Sequence, residues 1–581
     1  RRSRRQRLPH RAKETPSTPH LLRVQVTRCA NIETSSSYSS CSSSPSLQRQ
    51  NQAKGRPAAV LDYLGMGFKT GRGVGLACAI LGTTMALVAA VVLLNFTATF
   101  RFILGKKVTL SESSQGYPIW RDVSDHLDTR VAWYFFNLTN PEEFVKGEMP
   151  VLKEVGPFWF KAILKKKNIQ FNSNYTVSFE EHRQFHFDAE RSVLPYDTRI
   201  TMINVPVMSA LDKVADLGYF TRMVTDPAIA SVAGDSSIVT NYTIGELTYE
   251  GQYNTLVALS KVKEGIMEAI SALNSEESKK GKFGFAIDKN ETEPGIFNMY
   301  TGATGVTDLN RIYSVNNQHE LSIWPTEHDN VCNQVDGTFG YLRPPMNETN
   351  EQVVFVPDMC RPITIHYQKD VTFHGIRLRR FTLTPENFFS SKQKPENFCY
   401  DSKMKMPSGV AEVGPCKQGA PILMSMPHFM HADPSFSEKV KGMTPDIEKH
   451  TFTMDHEPTT GMTVAVRGRL QANIAVRPVD LLGADDLPTV VMPLFWQDMY
   501  VEAGPGVVAF LKKVLGYPGL AKIGLVILLL VGLIVLFIGA GLLINYSRRV
   551  RQTGKLSSHK VEYHKASTQE APNKPENDTL V

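Results

Sequence analysis

Cysteine is scarce, with seven in 581 residues, and no two of them form a Cys-x-x-Cys pair. That spacing leaves no zinc-ribbon or thioredoxin-type site to argue from. Also missing are a Gly-rich phosphate loop, a Gly-x-Ser-x-Gly elbow and a His-Glu-x-x-His helix, so no catalytic constellation is assigned and no cofactor is called for. His428 and His431 stand three apart in PHFMHADP but lack an identifiable third ligand, so they are read as residues of a strand edge or turn and no metal site is assigned.

Charge is absent from two long runs. Residues 74–94 read VGLACAILGTTMALVAAVVLL and residues 523–544 read IGLVILLLVGLIVLFIGAGLLI. At ~1.5 Å of rise per helical residue each covers about 30 Å, the thickness of a hydrocarbon core. Both are expected to span a membrane as helices, the first as a true span and not a cleaved signal, because a long segment precedes it.

The formal charge of +7 is concentrated at the ends. Residues 1–56 carry about +10, 57–72 about +1 and the tail from Ser547 about +3, leaving about −7 for the middle. Lys69 and Arg72 precede the first run, and Arg548, Arg549, Arg551 and Lys555 follow the second, which places both termini in the cytosol by the positive-inside preference. The expected organisation is a basic, Ser-rich, disordered cytosolic segment (1–73), a span (74–94), an extracellular or lumenal ectodomain (95–522), a span (523–544) and a cytosolic tail (545–581). Nucleic acid is not an expected partner, since the large middle is acidic.

Five sequons fall in the ectodomain, at Asn137, Asn174, Asn241, Asn290 and Asn347, and are the expected glycosylation sites. Asn95 and Asn545 abut the spans and Asn577 lies in the tail, so these three are expected to stay unmodified. Cys332, Cys360, Cys399 and Cys416 are the ectodomain cysteines, and in an oxidising compartment they read as two disulfides with three pairings open.

Residues 462–476 alternate apolar and polar side chains, the signature of a long strand with one wet face, and a second strand is marked near Tyr175, Val177 and Phe179. Residues 256–277 repeat apolar positions at three and four and predict a helix. Frequent Pro and Gly breaks between short apolar runs point to an α+β ectodomain dominated by antiparallel sheet. The triplet Lys165 to Lys167 and the cluster Arg377, Arg379 and Arg380 are read as solvated surface charge. The tail ends Glu576, Asn577, Asp578, Thr579, Leu580, Val581. Thr579 with the terminal Val581 suits strand addition to a PDZ domain, while Glu576 with Leu580 and Val581 is similar to an acidic dileucine sorting signal.

Five stretches carry a family likeness: FFNLTNPEEF from Phe135, EVGPFWF from Glu154, VPDMCRPI from Val356, CKQGAPILMSMPHFMHAD from Cys416 and DHEPTTGMTVAVRGRLQANI from Asp455. In that order, between two spans, they resemble the class B scavenger receptor family, whose branches include the fatty-acid translocase, the high-density-lipoprotein receptor and, most similar in NPEE and CKQGAPI, lysosomal integral membrane protein type 2.

The resemblance implies an antiparallel β-barrel-like core with short helices, an apical helical bundle that docks ligands, and an apolar tunnel carrying sterol or fatty acid to the bilayer. It implies lipids and lipoproteins as partners and no enzymatic activity. It pairs Cys332 with Cys399 and Cys360 with Cys416. The family's frequent third bridge is lacking, with Tyr400 and Asp401 following Cys399, so that loop is expected to be looser. The apex, expected at 205–239, carries Asp212, Asp216, Asp226 and Asp235 against Lys213 and Arg222, and Pro227 is expected to interrupt a helix there.

The leading functional expectation is a lipid-binding and lipid-transferring receptor at the plasma membrane or in endolysosomes. A trafficking receptor for a lumenal protein is the alternative. A two-span ion channel ranks below both, because neither span shows polar pore-lining residues.

Overall fold

The computed structural model describes residues 58–233, 237–260, 281–324, 330–401, 403–417 and 419–567. The basic leader up to residue 57, the helical expectation beyond Ser260, Asp235 and the tail residues Glu576, Thr579, Leu580 and Val581 lie outside them.

Leu127–Leu138 is buried along both faces and pairs antiparallel with Val490–Ala503 on one side and Leu152–Phe171 on the other. These three strands are the middle of a 13-stranded sheet. From Val490–Ala503 the sheet continues through Thr463–Val476, Thr453–His456, Ile376–Leu383 and Arg361–Phe373 to Glu351–Val356. On the other side it runs through Thr176–Phe187 and Ile296–Tyr300 to Ile312–Val315. Thr338 bridges Arg311 and Val354, which joins the two ends and leaves a nearly closed antiparallel barrel. A sheet of this size curls until its edges meet, which removes unpaired edge groups.

The barrel has two distinct ends. Twelve residues of strand at ~3.3 Å each make Leu127–Leu138 about 40 Å long. Leu127 pairs with Ala503, two residues before the helix Pro505–Ser567 that contains the second apolar run. At the opposite end the Oδ1 of Asn137 accepts the Thr201 N–H, and the strand Arg199–Ile203 leads into the helices Val205–Ala215 and Tyr219–Ala233. The helical apex therefore lies away from the span. Val205–Ala215 starts at Asn204, whose side chain caps the Val207 N–H, and it buries Val207, Met208, Leu211 and Val214 at three- and four-residue spacing.

Several expectations change. Tyr219–Ala233 runs through Pro227 without interruption. Pro227 and Met223, the residue whose carbonyl loses its helical partner, are both exposed, and the Arg222–Asp226 pair at 3.0 Å braces the turn between them. The apical acids are partly neutralised, since Arg477 holds both Asp212 at 2.8 Å and Asp216 at 2.7 Å. The strand Thr463–Val476 loses its wet face beyond Leu470, because Ile422–Ser425 pairs along it and buries Gln471 and Asn473. The loop without a third bridge is packed: the Tyr400 ring meets Trp324 edge-on at 4.8 Å and carries the Arg361 guanidinium at 3.6 Å, while Asp401 accepts from Ser391. Disulfides join Cys332 to Cys399 and Cys360 to Cys416.

Among the described residues two helices are long and apolar enough to cross a membrane, Gly71–Leu94 and Pro505–Ser557. The second continues beyond the 523–544 run at both ends, and the first is followed by the helix Phe96–Val108.

Candidate functional site

A cavity of about 580 Å³ lies where the barrel meets these helices. Sites for small molecules fall at roughly 300–1,000 Å³. One wall is Phe96, Phe100 and Ile103 of Phe96–Val108, and a second is Phe510, Val514, Tyr517 and Ala521 of Pro505–Ser567. The short helices Tyr117–Arg121 and Val123–His126 supply Ile119, Trp120 and Val123, and the barrel closes the cavity with Tyr341, Leu342 and Met462. Val92 and Leu525, both inside the apolar runs, complete it, so its surface is continuous with the spans. Lys107, Ser114, Gln115 and the threonines Thr99, Thr460 and Thr463 supply polar side chains in a mainly apolar lining.

Behind Trp120 and Tyr341 is a charged nest. The Lys166 ammonium sits 4.2 Å from the Tyr341 ring, 5.1 Å from Trp120 and 5.4 Å from Phe179, and 3.6 Å from Glu181. Burial pulls the lysine down to about 8 against the attraction of Glu181. Burial opposes ionisation of Glu181 too, but Arg183, Lys166 and the donated Tyr341 hydroxyl outweigh it and hold the carboxyl below its ordinary value. The surface reading fails only for the middle lysine of the triplet: Lys166 is interior, whereas the side chains of Lys165 and Lys167 are 42% and 49% exposed beside Asp125 and Glu293. Arg377 keeps its surface place, its side chain 73% exposed beside Asp370, whereas Arg380 pairs with the buried Asp455 and Arg379 lies over Tyr367 at 4.4 Å.

His428 and His431 do not act together. His431 is exposed, whereas His428 is buried with Glu154 and His450, each offering a donor atom within 4.8 Å of the others. Third-ligand candidates therefore exist, from strand Leu152–Phe171 and helix Ile447–His450, contrary to the sequence reading. The hydrogen bonds decide their chemistry. The Thr444 N–H donates to His428 Nδ1 at 3.1 Å and the Asp446 N–H to His450 Nδ1 at 2.9 Å. Each neutral ring then carries its proton on Nε2, and His428 donates it to Glu154 Oε2 at 2.6 Å. A metal on Nε2 would require imidazolates, so these residues do not fit one. The Trp496 indole also donates to Glu154 Oε2, at 2.8 Å.

Sequence reasoning missed Trp120 and Tyr341 at the cavity, Glu181 behind them, and Glu154, His450 and Trp496 around His428, and it placed Lys166 on the surface. Only Glu154 and His428 carried a signal, because both fall inside motifs with family likeness.

Of the expected glycan acceptors, Asn174 and Asn241 are exposed, and Asn137, Asn290 and Asn347 are half-buried. Thr201 links Asn137 and Asn241 by its amide and hydroxyl, so these two sequons are neighbours.

The CD36 family model matches residues 80–543. Scavenger receptor class B member 1 of Cricetulus griseus is 30% identical over 427 residues, 73% of this chain and 78% of its own length. Protein peste of Drosophila melanogaster is 30% identical over 423 residues, 71% of this chain and 73% of its own. Sensory neuron membrane protein 1 of Helicoverpa armigera is 29% identical over 449 residues, 73% of this chain and 82% of its own. With its two span-length helices the chain is a two-pass membrane protein. A match that runs from inside the first apolar run to the end of the second, across the whole closed barrel, makes the chain a member of the CD36 family.

Proposed function

We propose that this chain is a membrane receptor that binds a sterol or fatty acid and passes it between its ectodomain and the bilayer without covalent chemistry. The observation that carries the reading is the cavity whose walls belong at once to the barrel and to the helices entering the membrane. A lipid held there moves to the bilayer along apolar surface and avoids a hydration cost of ~0.8 kcal/mol per methylene. In this reading both termini are cytosolic, the five ectodomain sequons carry glycans and the tail meets a PDZ or sorting adaptor.

A second reading, docking of a lipoprotein or lumenal protein at the apex, is favoured by one feature. Tyr219, Phe220 and Met223 are 76%, 84% and 65% exposed at the start of Tyr219–Ala233. Large apolar side chains this bare mark interaction surfaces.

The full chain, purified and placed in nanodiscs, tests the first reading. Sterol or fatty acid is expected in its lipid extract, and Ala521→Trp, which fills the cavity, should slow transfer of a fluorescent sterol or fatty acid at least tenfold. Absence of bound lipid together with unchanged transfer in the variant would overturn it.

A further inference from the structure

We propose that His428, His450 and Glu154 form an acid-opened latch that holds residues 443–451 against the barrel wall at neutral pH and releases them on acidification. The two imidazoles are stacked with centroids 4.4 Å apart and planes within 19°. Each takes a backbone N–H of the segment on Nδ1, from Thr444 and Asp446. Because each Nε2 already bears a proton, an added proton must land on an Nδ1. On His428 it points N–H at N–H and turns the anchor to Thr444 into a repulsion, and on His450 it breaks the bond to Asp446 that shapes the segment's own turn and sets its ring on His428 and Trp496.

The remaining holds fit the same logic. Arg469 Nη1 donates to the Glu448 carbonyl at 2.8 Å and the Thr451 carbonyl at 3.2 Å, and is itself fixed by Asp498 at 3.0 Å. Burial raises the Asp498 carboxyl, so acid weakens this hold as well. On the other side of Gly442 the anchors do not titrate: Leu152 N–H donates to Lys441 O, Lys441 N–H to Pro150 O, and Val440 and Phe436 are buried. Gly442 has φ +102°, and a β-carbon there would lie 2.0 Å from Leu152 O, which makes it the pivot.

The charged and titratable groups facing the rings are Glu154, Asp498 with Arg469, and Tyr134 from the strands beneath, and Asp446, Glu448 and Lys449 from the segment itself. Burial, with His428 second, pushes His450 from 6.5 down to about 4 in the docked state. The freed ring returns to 6.5, so docking is favoured above 6.5 and weakens as pH falls below it. For this one histidine the open fraction rises about 30-fold at pH 5.0. A receptor passing into an acidified compartment would thereby uncover the Tyr134–Trp496 stack, whose rings lie 3.8 Å apart.

Hydrogen–deuterium exchange of the full chain in nanodiscs, corrected for intrinsic rates, tests this at pH 7.4 and 5.0. Residues 443–451 should exchange at least tenfold faster at pH 5.0 while 434–441 stay protected. His428→Asn with His450→Asn places a non-titrating oxygen where each Nδ1 accepts, and should suppress most of the increase. Unchanged protection of 443–451 in the wild-type chain, or a loss there no larger than in 434–441, overturns the latch whatever the variants do.

Discussion

Gly82 of the first span and Gly532 of the second meet with no room for a side chain: a β-carbon on Gly82 would sit 2.6 Å from the Gly532 carbonyl oxygen and 2.3 Å from the Leu536 nitrogen. The relation repeats one heptad on, where a β-carbon on Gly539 would lie 2.5 Å from the Ala79 nitrogen. In lipid, where no hydrophobic force joins helices, close backbone contact through small residues is what holds them.

Gly82→Val is therefore expected to push the spans apart and lower stability by about 1–3 kcal/mol. Gly541→Val is its control, since nothing lies within 4 Å of that position. Thermal unfolding in detergent should show a lower midpoint for the first variant alone. Equal midpoints would mean that the spans do not depend on this contact.

Glu181 is shared by Lys166, Arg183 and the Tyr341 hydroxyl, with Glu181 and Lys166 buried and Arg183 and Tyr341 half-buried. Removing its charge strands two cations, whereas removing Lys166 leaves Glu181 with Arg183. Glu181→Gln is predicted to destabilise the barrel domain by about 3–5 kcal/mol and Lys166→Met by clearly less. Denaturant titration of both variants checks the order, and a larger loss for Lys166→Met would contradict this account of the nest.

The spans were plain in the sequence because bilayer thickness dictates a length of uncharged chain that few other structures need. The strand at 462–476 was plain for a similar reason, its period of two, but alternation assigns side chains to faces without saying what covers a face. Gln471 and Asn473 look solvent-facing in sequence. In the fold Gln471 Nε2 donates to Asn473 Oδ1 at 2.7 Å, Gln471 Oε1 accepts the His428 N–H, and Asn473 Nδ2 reaches Leu423 O and Ser425 Oγ. Glu154 and His428 are 274 residues apart, a separation that no local pattern reports. The cavity lies further still from sequence, since its walls are ordinary core residues until two helices and a barrel end are brought together.

Asn473→Leu tests the buried reading of that face. On a wet face the change would be nearly neutral. Here it leaves the Gln471 amide without its acceptor and Ser425 without a donor, at a cost of about 1–3 kcal/mol for each buried group stranded. A stability change within about 0.5 kcal/mol, the range of surface substitutions, would restore the solvent-facing reading.

His456 gives the barrel domain an intrinsic sensitivity to acid, separate from the latch. It is fully buried, and its Nδ1 lies 3.0 Å from the Thr463 hydroxyl, which donates its own proton to Gly340 O, so the ring is the donor and is neutral. Burial first, then Arg343 and Arg379, push it from 6.5 down to about 3. With the folded value below the unfolded one, the unfolded chain binds the extra proton between them. Stability from this group is intact above 6.5, falls as pH drops below 6.5 and levels off near 3. At pH 5.0 the loss is about 2 kcal/mol. His456→Gln should remove that part of the pH dependence, whatever it does to stability at neutral pH, because each protein is compared with itself at pH 7.5 and 5.0. If the variant loses as much stability between those two pH values as the wild-type chain, the neutral buried imidazole is not the origin of the sensitivity.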